Sequence, residues 1–161
     1  MHPEIPAEGV TLEQLFAGRR VNIPEMLQRL KQTANNLGLP FGERRMSFNS
    51  RRAQEAAKWA ESQGKADAFH HAVFRAYFVD GKNLYEIETL AAAADAIGLA
   101  GGMLSEAIQR QTYRAAVDRD WLRSRQLGVA AVPTFRLGGE MLVGAQPYEN
   151  LADFLIRRRK N

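Results

Sequence analysis

The stretch that decides the fold runs from Gly128 to Leu155 and reads GVAAVPTFRLGGEMLVGAQPYENLADFL. It contains two short runs, TFRL and EMLV, which alternate in side-chain direction and are joined by Gly138–Gly139. A two-residue glycine turn between such runs predicts a β-hairpin in which Phe135 pairs with Leu142. Both faces of this hairpin carry apolar side chains, which is typical of strands that are covered on both sides.

Pro133 stands directly before the first of these strands. Proline cannot donate a hydrogen bond to a sheet ladder, so its place at the mouth of a buried strand needs a reason. After the hairpin, Pro147 begins a final helix whose inner face carries Leu151, Phe154 and Leu155.

The chain before Gly128 follows helical periodicity. Thr11 with Gln14 three residues later has the spacing of a capping box, and Asn22 with Pro24 behind it marks a second helix start. We therefore expect helices first and the hairpin only afterwards.

Further helices are predicted between Asn49 and Leu127. One has an alanine packing stripe, and the next turns Phe69 and Val73 inward. The longest is expected from about Ser105 to Leu127. The stripe consists of Ala53, Ala56, Ala57 and Ala60.

The composition excludes several classes of function. The chain has 161 residues, 22 basic and 18 acidic side chains, and no cysteine, so it can supply neither a disulfide nor a thiolate nucleophile. The arginines are scattered in pairs, which argues against nucleic acid as a partner. No apolar run approaches membrane-spanning length, and there is no signal-peptide pattern, so we expect a cytoplasmic protein without membrane or metal.

The residues around Pro133 carry a family resemblance. The order Gly-Val, Val-Pro-Thr-Phe, Gly-Gly and Gly-Ala-Gln resembles the C-terminal part of DsbA-like thioredoxin-fold proteins. These include FrnE-type oxidoreductases and 2-hydroxychromene-2-carboxylate isomerases. Residues 48–99 are similar to the helical domain that these proteins insert, and residues 2–9 to the segment after their second strand. The resemblance implies an α/β, thioredoxin-like fold with a large helical insertion.

The same resemblance implies a domain plan. Residues 1–161 would form a single, incomplete DsbA-like domain, with residues 22–127 as helical insertion and long connecting helix. Residues 128–161 would supply the cis-proline loop, hairpin and C-terminal helix of the thioredoxin fold. The family's first strand, its Cys-X-X-Cys helix and its second strand have no counterpart here. Either that module is encoded upstream, or a shortened relative dimerises and covers the open sheet edge.

Site residues follow from the resemblance. In the family the proline of this motif is cis and exposes the backbone before it, which makes Val132, Pro133 and Thr134 the expected substrate-binding loop. Asn49 and Gln146 are expected near the cleft, although each can equally be a helix cap. No catalytic residue can be carried onto this chain.

Three aromatic residues leave an alternative open. Phe74, Tyr77 and Phe78 can line an apolar groove, but a stripe of aromatics at helical spacing more often belongs to the core.

The resemblance makes this chain a member of a thiol–disulfide oxidoreductase family, with a thiol or disulfide peptide or a small molecule as substrate. Lacking cysteine, the chain itself is expected to be inactive in disulfide exchange. Two alternatives stay open: a glutathione-dependent isomerase or transferase, with glutathione as cofactor, and a non-catalytic protein that forms a homodimer.

Overall fold

The computed structural model describes residues 5–157, which divide into two compact units with the boundary between Val117 and Asp118. The elements are β1 Val10–Thr11, α1 Leu12–Leu15, α2 Ile23–Asn36, β2 Met46–Ser47, α3 Arg51–Ser62, α4 Ala66–Phe78, α5 Ile87–Asp95, α6 Gly101–Gln109, α7 Arg114–Gln126, β3 Thr134–Leu137, β4 Glu140–Val143 and α8 Tyr148–Arg157.

The first unit is built on a helical core. Phe69, Leu90 and Leu104 are fully buried between α3, α4, α5 and α6, and Trp59 joins the same cluster. The predicted alanine stripe is confirmed, because Ala53, Ala56 and Ala60 are buried and Ala57 packs against the cluster. Small side chains on α3 let the neighbouring helices approach closely, which suits a core formed by several short helices.

The start signals of the first helices are confirmed. Thr11 and Gln14 exchange side-chain and backbone hydrogen bonds of 3.2 and 2.8 Å, which completes the capping box of α1. The Asn22 carboxamide oxygen accepts from the Glu25 amide at 3.2 Å and caps α2. Beside α1, β1 pairs antiparallel with β2 in a two-residue ladder.

The prediction of a single long helix from about Ser105 to Leu127 is wrong. The helix is interrupted between α6 and α7, where Gln111 adopts the left-handed conformation with φ 54°. The Gln111 amide donates to Ile108 and the Thr112 amide to Ala107, both at 3.0 Å. This is the hydrogen-bond pattern of a Schellman helix end, which usually has glycine at the left-handed position.

The second unit contains the end of α7, the hairpin and α8. The predicted register is confirmed, since Phe135 pairs with Leu142 and Thr134 with Val143. The expectation that both faces are covered is wrong within residues 118–157, because Val143 is exposed in that unit. The prediction that Leu155 faces inward is also wrong, since this residue of α8 is 59% exposed.

Two adjacent glycines at the start of α6 give a test of the first unit. A Cβ atom on Gly101 would lie 2.6 Å from the Ala91 carbonyl oxygen and 2.7 Å from an Asp95 carboxylate oxygen, whereas one on Gly102 meets nothing within 4 Å. Gly101→Ala is expected to lower the free energy of unfolding by about 1–3 kcal/mol through overpacking. Gly102→Ala is expected to raise it by about 0.5–1 kcal/mol through helix propensity. Urea denaturation of both variants checks this, and the same sign for both would contradict the packing.

Candidate functional site

The loop before β3 is the predicted substrate-binding segment, and its two ends are held by hydrogen bonds. The Val132–Pro133 peptide bond is cis. The Thr134 hydroxyl donates to the Ala131 carbonyl at 2.6 Å, and the Gly144 amide donates to the Pro133 carbonyl at 2.8 Å. The loop is therefore fastened both to itself and to the end of β4.

Val132 is the exposed point of this loop. The residue is 81% exposed. Within residues 5–157 its amide and its carbonyl take part in no hydrogen bond. The backbone N–H and C=O of Val132 are thus unpaired beside β3. An extended peptide adds to a sheet through hydrogen bonds to groups of this kind.

Gln146 lies next to the same loop within the second unit. Its side-chain amide donates to the Val143 carbonyl at 2.8 Å, and its side-chain oxygen accepts from Asn150 at 3.1 Å. A Cβ atom on Gly144, the residue that holds Pro133, would lie 3.7 Å from the Gln146 amide nitrogen. Gln146 is thereby placed between the end of β4 and the first turn of α8.

Asn49 lies in the first unit, and both ends of its carboxamide have backbone partners. The residue is buried. Its nitrogen donates to the Ile5 carbonyl at 2.9 Å and its oxygen accepts from the Arg51 amide at 2.9 Å. The N-cap of α3 is Ser50, which makes no side-chain capping bond. The N-cap position is therefore one residue after Asn49. The Asn49 side chain instead links the start of α3 to the chain at Ile5.

The aromatic residues of α4 divide between surface and core. Phe74 is 59% exposed, so the core interpretation is wrong for it. Tyr77 packs against the core from its edge, and the ring of Phe78 lies 4.9 Å from that of Tyr77.

Sequence reasoning missed a largely buried ion pair on α3. Arg51 Nε donates to Glu55 Oε1 at 2.8 Å, and the side chains are only 19% and 8% exposed. The i,i+4 spacing of an arginine and a glutamate was the available signal, but spacing alone does not tell a buried pair from a solvated one.

The described residues set limits on other chemistry. Among residues 5–157, no three His, Cys, Asp or Glu side chains are grouped so that they could hold a metal ion. No helix in that range is long and apolar enough to cross a membrane.

Comparison with known proteins identifies the family. The chain belongs to the DSBA-like thioredoxin domain family, whose model matches residues 1–156. Over 95 residues it is 30% identical to the uncharacterized protein YwbO of Bacillus subtilis, an alignment that covers 58% of this chain and 47% of YwbO. The chain thus spans about half the length of this relative.

Solved structures share the fold. A probable DsbA oxidoreductase from Streptomyces coelicolor superposes with a TM-score of 0.86 at 22% identity, covering 99% of this chain and 72% of that one. A 2-hydroxychromene-2-carboxylate isomerase gives a TM-score of 0.70 at 22% identity, covering 86% and 68%. The cytosolic disulfide reductase DsbM from Pseudomonas aeruginosa, solved with glutathione, gives 0.59 at 25% identity, covering 86% and 75%. The predicted thioredoxin-like, DsbA-like fold is confirmed.

Proposed function

We propose that this chain is the substrate-binding part of a FrnE-type thiol–disulfide oxidoreductase and that Val132, Pro133 and Thr134 receive the substrate. The observation that carries the proposal is the exposed Val132, whose backbone groups are unpaired within the described residues while the loop around it is held at Ala131 and Gly144. An extended peptide with a thiol or a disulfide pairs its own backbone with that of Val132.

The reacting sulfur has to come from outside these 161 residues. Disulfide exchange begins when a thiolate attacks a disulfide sulfur and displaces the second sulfur as a thiolate. The chain contains no cysteine, so in this proposal it binds and orients the substrate, and a cysteine on other residues of the protein or on another chain carries out the exchange.

Two substitutions at one position test the binding role. Val132→Pro removes the backbone donor and is expected to raise the Kd for an extended peptide at least about ten-fold, which corresponds to about 1.4 kcal/mol and to one lost hydrogen bond. Val132→Ala keeps the backbone and is expected to stay within about three-fold of the original Kd. The probe is a pentapeptide with one cysteine capped as a methyl disulfide. Its binding is followed in NMR spectra by the amide signals of Ala131 and of residues 134–137, and in the unaltered chain and Val132→Ala also by that of residue 132.

The spectra also contain the control. Retained cross-strand signals from β3 and β4 show that the hairpin is intact in both variants. Equal Kd values for Val132→Pro and the unaltered chain would overturn the proposal. So would an absence of amide shifts at Ala131, Val132 and Thr134 of the unaltered chain on peptide addition.

A glutathione-dependent isomerase or transferase is the second candidate. It is favoured by the glutathione in the DsbM structure and by the fold shared with 2-hydroxychromene-2-carboxylate isomerase. In this case reduced glutathione, added as a second probe, shifts the signals at Val132 and Gln146, and the capped pentapeptide does not.

Two further features belong to the proposal. Where no other segment covers the exposed hairpin edge, a second copy of the chain covers it. The exposed apolar residues Met141 and Val143 on β4 favour such a contact. The proposed location is the cytoplasm, because DsbM, a disulfide reductase with the same fold, is cytosolic.

A further inference from the structure

Helix α2, in the first unit, has an apolar face that the rest of that unit leaves open. The apolar residues of the helix recur at helical spacing, and of these only Ala34 is buried. Leu30 and Leu37 are exposed, as is Leu39 just beyond the helix. Among the described residues, neither the hydrophobic core cluster nor the side chains packed against it include any from α2. The α2 face, as we call this surface, consists of Ile23, Met26, Leu27, Leu30 and Leu37.

A first groove runs along one side of the α2 face and has a volume of about 500 Å³. Met26 and Leu30 supply apolar surface to its wall, and Arg20, Arg29 and the Glu25 carboxylate supply charge. Neither arginine forms an ion pair within residues 5–157. Two cations and one carboxylate give this groove a net positive charge.

A second groove, of about 430 Å³, runs along the other side, where Leu27 and Phe41 supply the apolar surface. Its charged residues are Lys31, Glu43, Arg44 and Arg45. The Glu43 carboxylate is paired with Arg45 at 3.4 Å, and the Arg44 guanidinium lies over the Tyr77 ring. Lys31 is exposed and forms no ion pair in the part of the chain that the structure describes. This groove is therefore also positive, and Lys31 is the cation that it offers to a ligand.

The positions of these cations decide which kind of partner fits the α2 face. At about 100° per residue, Arg29 and Lys31 point to opposite sides of Leu30, so the apolar face has a cation on each flank. If the α2 faces of two copies met, these cations would oppose one another, and like charges brought together across an interface disfavour binding. A partner helix with an apolar stripe and acidic flanks meets opposite charge on both sides. Such helices bind through apolar side chains spaced three or four residues apart.

We propose that the α2 face binds an amphipathic helix with acidic flanks from a partner protein. The apolar side chains of that helix pack against Leu30 and Leu37, and its carboxylates face Arg29 on one side and Lys31 on the other. The apolar contact supplies most of the binding free energy, and the flanking charges select an acidic partner over a basic one. This surface belongs to the first unit and is independent of the proposed role of Val132.

The test uses the full 161-residue chain and a fluorescein-labelled synthetic helical peptide as long as α2. The peptide has leucines along one face and glutamates on both flanks, and the control peptide has lysine in place of every glutamate. Fluorescence anisotropy is expected to show saturable binding of the acidic peptide. The Kd of the lysine peptide is expected to be at least about ten-fold higher, and added salt is expected to reduce this difference.

Two substitutions on α2 form a matched pair. Leu30→Asp puts a charge on the α2 face and is expected to raise the Kd for the acidic peptide at least about ten-fold. Gln32→Asp adds the same charge about 160° away around the helix, at a residue that lines neither groove, and is expected to change the Kd less than about three-fold. Leu37→Asp repeats the first change at a second exposed position, so misfolding of one variant does not remove the test. Far-UV circular dichroism checks that each variant keeps its helices.

Three results of the peptide titrations would overturn the proposal: no saturable binding of the acidic peptide, equal Kd values for the acidic and the lysine peptide, or an equal loss of affinity in Gln32→Asp and Leu30→Asp. Sedimentation velocity of the chain alone gives a fourth. If the unaltered chain is a dimer that Leu30→Asp converts to a monomer while Gln32→Asp does not, a second copy occupies the α2 face and the acidic partner is wrong.

Discussion

Replacing Phe69 with alanine is expected to lower the free energy of unfolding by about 3–5 kcal/mol. The Phe69 side chain is 0% exposed and lies in the cluster formed by α3, α4, α5 and α6. Alanine removes a whole ring from a closely packed core. The lost transfer free energy therefore adds to the cost of a cavity that the surrounding helices fill only in part.

Phe74 provides the matched control on the same helix. It is 59% exposed, and its ring lies 6.1 Å from Phe78 and 6.3 Å from His70. Phe74→Ala removes the same atoms from the surface and is expected to change the stability by no more than about 1 kcal/mol. Urea denaturation followed by far-UV circular dichroism measures both variants, and equal losses would show that the core of the first unit is placed wrongly.

The contrast between these residues shows what the sequence could have revealed. The spacing of Phe74, Tyr77 and Phe78 from one another is that of a helical stripe. At about 100° per residue, however, Phe74 is turned about 140° away from Phe69, five positions earlier. The direction relative to the buried Phe69 and Val73, rather than the spacing among the aromatics, separates the surface from the core.

The hairpin could be predicted from sequence because its information is local. Two runs of period two and a Gly-Gly turn set the register, and Phe135 accordingly pairs with Leu142. The break between α6 and α7 could not be found in this way, since the left-handed residue is Gln111 and glutamine carries no signal for that conformation. Its hydrogen bonds satisfy the end of α6 without the usual glycine.

The same difference between local and non-local sequence information applies to the sites. The loop at Val132 could be predicted from the sequence because it lies within a short motif. The position of Gln146 beside Gly144 follows from the same motif. The cavity lined by Met46, Phe48 and Tyr77 could not be predicted from the sequence, because Phe48 follows β2 and Tyr77 belongs to α4.

Loss of the Arg51 cation is expected to have the second large effect on stability. Glu55 is 8% exposed, and Arg51 Nε is bound to its carboxylate at 2.8 Å while Arg51 Nη2 donates to the Arg114 carbonyl at 3.0 Å. Arg51→Met fills a similar length but leaves the carboxylate buried beside an apolar chain. Removing one partner of a buried pair costs about 3–5 kcal/mol, and we expect a loss of that size in the free energy of unfolding at neutral pH.

An exposed pair with the same i,i+4 spacing provides the control. Glu106 and Arg110 on α6 form an ion pair with side chains 56% and 74% exposed, and Arg110→Met is expected to cost no more than about 1 kcal/mol. The double variant Arg51→Met with Glu55→Leu removes both buried charges, so at least half of the loss should be recovered. If the double variant is less stable than Arg51→Met alone, the cost lies in the lost packing and the Arg114 contact, and the buried carboxylate is not its cause.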